Sequence, residues 1–178
     1  IGAGAMGSAF AVPCIENKND VTIVGTHLEN NLIENIISND QIHPSLKTRL
    51  PNKIKFERYE KLQNILEQDL DLIVCGVSSV GIEWFAKEIS KNYTKRLPIV
   101  LLTKGLSILN NELKTLSDKI RYLLKKEGHA EINISAIKGP CLAAGLANKM
   151  RTGTAIANQN INECKLLKEI ITTNYYST

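Results

Sequence analysis

Short apolar runs alternate with amphipathic segments along this chain. Apolar runs at 21–25, 70–77 and 98–103 predict buried strands, and an alternating run at 132–137 predicts another. Helical spacing of apolar residues predicts helices at 5–16, 28–38, 61–68, 78–88, 112–126, a short segment after 141, and 161–172, with further strands at 54–56, 154–157 and 175–177. This order predicts an α/β fold, a doubly wound parallel sheet.

Two segments interrupt the pattern. The polar stretch 39–53 contains two prolines, and we expect it to be a loop. Pro13 lies inside the first predicted helix, where it removes a hydrogen bond and predicts a kink or an early end. The 178 residues are enough for one domain with a real core and too few for two ordinary ones.

The first seven residues form a G-x-G-x-x-G motif that runs directly into the helix predicted at 5–16. In a dinucleotide-binding fold Gly2 allows a tight turn, Gly4 lets the backbone approach a pyrophosphate, and Gly7 lets the helix pack close to the sheet. The N–H groups at the start of the helix then face the phosphates. Because a first strand should precede Gly2, we expect the natural chain to extend before Ile1.

The strand predicted at 21–25 ends where an NAD-binding protein usually carries an acidic residue for the ribose hydroxyls. Here the residues are Gly25, Thr26 and His27, and Glu29 comes slightly late. No carboxylate is expected to repel a 2′-phosphate, and no Arg or Lys to bind one. The choice between NAD and NADP therefore stays open, and His27 is either near the adenosine ribose or a solvent-facing loop residue.

Unusual residues also follow three later strands, at 77–79, 103–105 and 138–141. Carboxyl ends of parallel strands meet at one edge of a sheet, so we expect these segments to share a cleft with the glycine motif. Lys104 is the candidate functional cation there, although a lysine at a strand end is often only a surface residue. Lys138 is either an extra phosphate-binding cation or a lysine in water.

Composition narrows the function classes. The net charge of +4 is spread along the chain, which argues against a nucleic-acid patch. No apolar run is long enough to suggest a membrane span. The four cysteines have no metal-ligand spacing, so we expect no metal site and free thiols in a reducing cytoplasm. Cys141 is expected to line a pocket rather than act as a nucleophile, because no histidine near it in sequence would activate it.

The chain resembles the N-terminal cofactor domain of the NAD(P)-dependent glycerol-3-phosphate dehydrogenases over essentially all 178 residues. The matching segments are 1–9, Thr103-Lys104-Gly105-Leu106 and Gly139-Pro140-Cys141-Leu142-Ala143, with 24–26 similar to the corner after the second strand of that family. The resemblance implies hydride transfer between NAD(P)H and dihydroxyacetone phosphate, giving glycerol 3-phosphate. The expected cofactor is NAD or NADP.

The resemblance also assigns roles to residues. It implies that Lys104 contacts both substrate and cofactor and acts in catalysis. It places Gly139 and Cys141 beside the substrate. The cofactor contacts that it implies, together with those of the glycine motif, are Gly2, Gly4, Ala5, Met6, Gly7, Thr26, Lys104 and Ala143.

The family has a helical C-terminal domain that supplies the main general acid/base lysine, and we expect it after residue 178. The chain alone is then expected to bind a dinucleotide without turnover, and a homodimer of the full-length protein stays open. Lys138 and Gly145 stand where the family usually has Ser and Glu. They keep two alternatives open: a ketopantoate-reductase-like enzyme for another small anionic substrate, and a non-catalytic dinucleotide-sensing module.

Overall fold

The computed structural model describes residues 1–93, 97–129 and 131–178. The helices in these residues are α1 (Ala5–Glu16), α2 (Asn30–Ser38), α3 (Leu62–Leu66), α4 (Ile82–Ser90), α5 (Leu116–Lys126), α6 (Ala143–Ala147) and α7 (Ile161–Ile171). The strands are β1 (Thr22–Val24), β2 (Ile42–His43), β3 (Thr48–Arg49), β4 (Lys55–Glu57), β5 (Ile73–Cys75), β6 (Ile99–Leu101), β7 (Leu106–Leu109), β8 (Glu112–Thr115), β9 (Ile134–Lys138), β10 (Thr152–Gly153), β11 (Ala155–Ala157) and β12 (Tyr176–Ser177).

The central sheet has the order β11-β9-β6-β5, in which β5, β6 and β9 are parallel and β11 is antiparallel to β9. A second parallel pair, β1 with β4, is joined to it by the start of the chain. Ile1 O accepts from Gly76 N at 2.8 Å on one side, and Gly2 N donates to Val24 O at 2.8 Å on the other. The extended order is therefore β4-β1-(1–2)-β5-β6-β9-β11, and only its last strand departs from the predicted parallel arrangement.

Helices cover both faces of this sheet, as alternate residues of β6 and the position after it show. Val100 and Leu102 pack into a core with residues of α1, α2, α6 and α7. Ile99 and Leu101 face a second core built with residues of α3, α4 and α5. A strand buried on both faces must be apolar at every position, which explains the continuous apolar run. The prediction of a doubly wound fold is confirmed.

A hairpin replaces the start of the helix predicted at 112–126. Strands β7 and β8 pair antiparallel from Leu106↔Thr115 to Leu109↔Glu112. The turn residues Asn110 and Asn111 have positive φ angles of 51° and 62°, which asparagine tolerates and which tight hairpin turns require. The helix begins only after Thr115, whose Oγ1 accepts from Asp118 N at 3.1 Å as an N-cap. The predicted helix was therefore wrong at its first four residues.

One smaller expectation also fails, and the predicted bounds of the first helix are confirmed. The stretch 39–53 is not wholly irregular, because β2 and β3 form a short hairpin with Ile42 opposite Arg49. The helix at 5–16 does not end early at Pro13, since α1 continues to Glu16 and Asn17 N donates to Pro13 O at 3.1 Å. Pro13 is itself buried, and packing of this helix in the core offsets the lost backbone bond.

Candidate active site

The glycine motif forms the turn from the first extended residues into α1, and two of its glycines are required sterically. Gly2 has φ +100°, and a Cβ on it would lie 2.9 Å from the carbonyl carbon of Gly76. A Cβ on Gly7 would lie 2.3 Å from Gly2 O, closer than any side chain allows. These contacts bring the helix start against the sheet at the edge where β1 and β5 end.

Gly4 is different, because nothing in the protein crowds it. Its φ is −61°, and the nearest atom to an added Cβ would be Glu29 Oε1 at 3.8 Å. As the N-cap of α1 it offers no side-chain cap, and no acidic residue occupies the first turn. The N–H groups of Ala5, Met6 and Gly7 therefore have no intrahelical partner. This open, donor-rich position fits an anionic group such as a pyrophosphate.

Side chains from three separate elements hold Ala3, in the middle of the turn. Ala3 N donates to Glu29 Oε2 at 3.1 Å. Ala3 O accepts from Ser8 Oγ at 2.9 Å and lies 3.0 Å from His43 Nε2. Leu46 N donates to His43 Nδ1 at 3.3 Å, so the imidazole carries its proton on Nε2 and donates it to Ala3 O. The turn is thereby fixed without any bound group.

Ser8 and His43 are both fully buried, and sequence reasoning assigned neither to the site. A signal for Ser8 was present, because it follows the motif directly and is the polar residue on the buried side of α1. His43 carried no such signal, since its partner Ala3 is forty positions away in sequence.

The corner after β1 does contain a carboxylate, which corrects the sequence-based expectation. Glu29 is the N-cap of α2, and its Oε2 accepts from Thr26 N at 2.8 Å as well as from Ala3 N. Glu29 comes three residues after Thr26 in sequence, and its side chain is long enough to reach back to the corner. Thr26 is buried, and its own Oγ1 accepts from Leu28 N at 3.4 Å. The acceptor available at this corner is thus Glu29.

Three aromatic rings lie beside the same corner. The ring centroid of His27 is 5.2 Å from that of Trp84 and 6.0 Å from that of Tyr59, and Tyr59 and Trp84 are 5.8 Å apart. Trp84 was expected to pack in the core, and it does pack partly against the core beneath α4. It also forms, with His27 and Tyr59, an aromatic surface of the kind on which a purine base stacks. Sequence reasoning did not group these residues.

The strand ends that follow β6 and β9 meet at the other side of the edge. Lys104 Nζ donates to Gly139 O at 2.7 Å, and Lys138 Nζ donates to Thr103 O at 2.6 Å. Gly139 has φ +151°, and a Cβ on it would lie 2.9 Å from Thr154 Cα. The absence of a side chain at Gly139 therefore allows this turn to pack against the backbone of Thr154, next to the edge strand β11.

A small recess connects this side with α1. Its lining residues are Met6, Phe10, Leu102, Lys104, Ile137, Gly139, Cys141, Thr154 and Tyr176. The structure thus brings together Met6 from the glycine motif with Lys104, Gly139 and Cys141 from the later strand ends. Ala143 is the first residue of α6, and it packs, partly buried, against the core that contains Val100 and Leu102.

Cys141 is buried in the wall of the recess. Burial raises the pKa of its thiol, and a hydrogen bond with Thr152 and the charge of Lys104 lower it by less. The thiol therefore stays protonated at neutral pH, as suits a lining residue rather than a nucleophile. In the residues that the structure describes, no group of three or more His, Cys, Asp or Glu side chains is placed to hold a metal ion.

Comparison with known proteins then decides the family. Residues 1–164 match the family model described as NAD-dependent glycerol-3-phosphate dehydrogenase N-terminus. The chain belongs to this family. It is 32% identical over 176 residues to the NADP(+)-dependent glycerol-3-phosphate dehydrogenase of Archaeoglobus fulgidus, covering 99% of this chain and 50% of that protein. It is 28% identical over 180 residues to the glycerol-3-phosphate dehydrogenase [NAD(P)+] of Mesoplasma florum, covering 99% and 51%.

Solved structures of glycerol-3-phosphate dehydrogenases share the fold of this chain. The enzyme from Plasmodium falciparum superposes with a TM-score of 0.82 at 22% identity, covering 99% of this chain and 49% of its own. The enzyme from Coxiella burnetii gives a TM-score of 0.78 at 20% identity, covering 99% and 50%. The chain thus spans about half the length of the curated relatives it matches. Among the described residues, no helix is both long and apolar enough to cross a membrane.

Proposed function

We propose that this chain is the cofactor-binding half of an NAD(P)-dependent glycerol-3-phosphate dehydrogenase, which interconverts dihydroxyacetone phosphate and glycerol 3-phosphate. The observation that carries the proposal is the meeting of Lys104, Gly139 and Cys141 with Met6 in one recess. A module that only bound a dinucleotide would need the glycine motif but no cation at the end of a distant strand.

The binding half of the proposal rests on the open start of α1. Its free N–H groups at Ala5 and Met6 would hold the pyrophosphate, and Gly4 leaves room for it. Glu29 Oε1 and the aromatic surface of His27, Tyr59 and Trp84 would receive the adenosine. The opposite end of the dinucleotide would then lie toward Met6 and Ala143. The proposed cofactor is NAD or NADP.

Lys104 carries the catalytic half of the proposal. A bound nicotinamide would supply or accept the hydride. The Lys104 ammonium lies at the recess and keeps donor capacity beyond its bond to Gly139 O, so it would donate to the carbonyl oxygen of the substrate. That donation stabilises the negative charge that develops on this oxygen as the hydride arrives. The main general acid/base lysine is proposed to come from a helical second half like that of the family.

The proposed cellular setting is the cytoplasm. The four cysteines are free in the structure, in keeping with a reducing compartment.

A homodimer of the full-length protein is proposed as well. Size-exclusion chromatography with light scattering would report the mass, and a monomer at all concentrations would contradict it.

Equilibrium titration with NADH and with NADPH, combined with an assay of glycerol 3-phosphate oxidation, tests the function. The full-length protein should bind at least one dinucleotide and turn over glycerol 3-phosphate. Gly4→Val should weaken binding at least tenfold while the melting temperature changes little, because the added side chain enters space used only by the ligand.

The outcomes separate the alternatives. Dinucleotide binding with no turnover of any small anionic substrate would favour a sensing module. Turnover of a 2-oxo acid such as ketopantoate, without turnover of glycerol 3-phosphate, would favour the second enzyme class. Folded protein that binds neither dinucleotide would contradict the proposal as a whole.

A further inference from the structure

Two lysines cross at neighbouring strand ends. Lys104 follows β6 and donates to Gly139 O after β9, whereas Lys138 ends β9 and donates to Thr103 O after β6. Each ammonium is thus held by the backbone of the other lysine's strand end. This reciprocal arrangement brings two positive charges to one place at the edge that carries the recess.

No described carboxylate pairs with either lysine. The ion pairs found among the described residues involve other lysines and arginines, for example Lys119 with Glu83 and Lys114 with Glu112. The recess lining that includes Lys104 contains no acidic residue either. An ammonium has three donors, so each lysine keeps two N–H groups after its backbone bond.

Lys138 also differs from a lysine in water. It is partly buried at the end of β9, and its carbonyl oxygen accepts from Thr154 Oγ1 at 2.7 Å, which fixes the backbone beneath it. Burial lowers the pKa of Lys138, and the nearby charge of Lys104 lowers it further. Two like charges held together without an acid are stabilised when an anion binds between them.

We infer that Lys138 is a second substrate-binding cation, which with Lys104 forms a two-ammonium subsite for a phosphate dianion. The inference rests on the proposed function and deepens it, because it names the group of the substrate that this edge selects. A phosphate dianion has enough oxygens and charge to accept from both ammonium groups at once, and Lys104 keeps one further N–H for the carbonyl oxygen. A singly charged group neutralises only one of the two cations, and a neutral group neutralises neither. Lys138 would therefore set specificity for the anion.

Binding of inorganic phosphate and kinetics with glycerol 3-phosphate test the subsite in the full-length protein. Lys138→Met keeps the length of the side chain and removes its charge. It should raise both the dissociation constant of phosphate, followed by ³¹P NMR titration, and the KM for glycerol 3-phosphate about tenfold, with a much smaller change in kcat. The dissociation constant of NADH, which does not use Lys138, should change less than twofold.

A charge-retaining variant and a distant lysine serve as controls. Lys138→Arg should stay within about threefold of wild type in both measurements, since it restores the cation. Lys165→Met, at an exposed position on α7, should change neither. Unchanged phosphate affinity and KM in Lys138→Met would overturn the inference, and so would a Lys138→Arg variant as weak as Lys138→Met. If wild type binds phosphate without oxidising glycerol 3-phosphate, the proposed function fails while the phosphate titration still decides the role of Lys138.

Discussion

The two sides of the proposed cleft are built differently. At the glycine turn, backbone N–H groups would recognise the ligand, and the backbone of Ala3 is held by Ser8, His43 and Glu29. At the lysine side, two long side chains would do so, and each donates one hydrogen bond to a carbonyl. The first side is preorganised by buried contacts of Ala3, and the second carries two positive charges, one on the exposed Lys104 and one on the partly buried Lys138.

This difference follows from what each side would bind. A pyrophosphate has a fixed shape and is held well by N–H groups set in place before it arrives, which costs no reorganisation on binding. A small substrate that develops negative charge on its carbonyl oxygen needs charged donors that are already in place, and here one bond to a carbonyl holds each ammonium at the edge. We therefore expect substitutions at the glycine turn to act on stability or cofactor affinity, and substitutions at the lysine side to act on substrate.

Gly7→Ala should have the largest effect and would sharpen the comparison most. The new Cβ would lie 2.3 Å from Gly2 O, a backbone atom that cannot move without opening the turn. We expect a loss of about 3 kcal/mol or more in the free energy of unfolding, together with loss of dinucleotide binding. Urea denaturation and NADH titration would measure both.

Gly4→Ala is the matched control, since it adds the same methyl group where the nearest atom is 3.8 Å away. Its free energy of unfolding should stay within about 0.5 kcal/mol of wild type. Equal destabilisation by the two substitutions would show that the turn is not the rigid element described above.

Lys104→Ala tests the lysine side. Loss of the ammonium at the recess should reduce kcat for glycerol 3-phosphate by about a hundredfold, because a donor to the developing oxyanion disappears. The melting temperature should change little, and the dissociation constant of NADH should rise far less than kcat falls, because the start of α1 would supply most of the cofactor contacts. Lys114→Ala, on the exposed hairpin, is the control. Unchanged turnover in Lys104→Ala would show that this residue takes no part in catalysis. The lysine side would then lack its proposed donor to the oxyanion.

The sequence was most informative where function or burial acts on consecutive residues. The apolar run around β6 predicted a strand covered on both faces because every one of its side chains is in fact buried. The glycine motif and the strand ends at 103–105 and 138–141 predicted the meeting point, since parallel strands bring their carboxyl ends to one edge. These parts of the fold depend on local pattern and on topology alone.

The features that the sequence did not predict depend either on where a single side chain reaches or on a pair of strands with no buried face. The hairpin of β7 and β8 escaped because its apolar residues Ile108 and Leu113 lie opposite each other in solvent, so no buried face marks them. The carboxylate of Glu29 was placed too late because position in sequence says nothing about how far a side chain turns back. The crossed bonds of Lys104 and Lys138 require coordinates.

Glu29→Gln has a moderate expected effect and tests whether the glycine turn also selects the cofactor. The substitution keeps the size of the side chain but removes the negative charge beside Gly4 and Thr26. A charge at the corner repels a 2′-phosphate more than a hydroxyl. The ratio of NADPH to NADH affinity should therefore rise, by roughly threefold to tenfold, whichever cofactor wild type prefers.

Glu34→Gln, five residues after Glu29 on α2 and paired with Arg58, is the control for charge alone. It should leave the NADPH to NADH ratio within twofold of wild type. A ratio that shifts equally in both variants would mean that the corner does not discriminate, and the glycine side would then recognise only the pyrophosphate.

Ser8→Ala should have the smallest effect, because Ala3 O has two donors. Without the Ser8 hydroxyl, this carbonyl still accepts from His43 Nε2, so no buried acceptor is left unpaired. We expect a loss of about 1 kcal/mol in the free energy of unfolding and less than a twofold change in the dissociation constant of NADH. Ser107→Ala, on the exposed hairpin, should change neither. A tenfold weaker binding of NADH by Ser8→Ala would mean that His43 alone does not hold the turn, and that each of its contacts is needed for the rigidity that sets this side apart from the lysines.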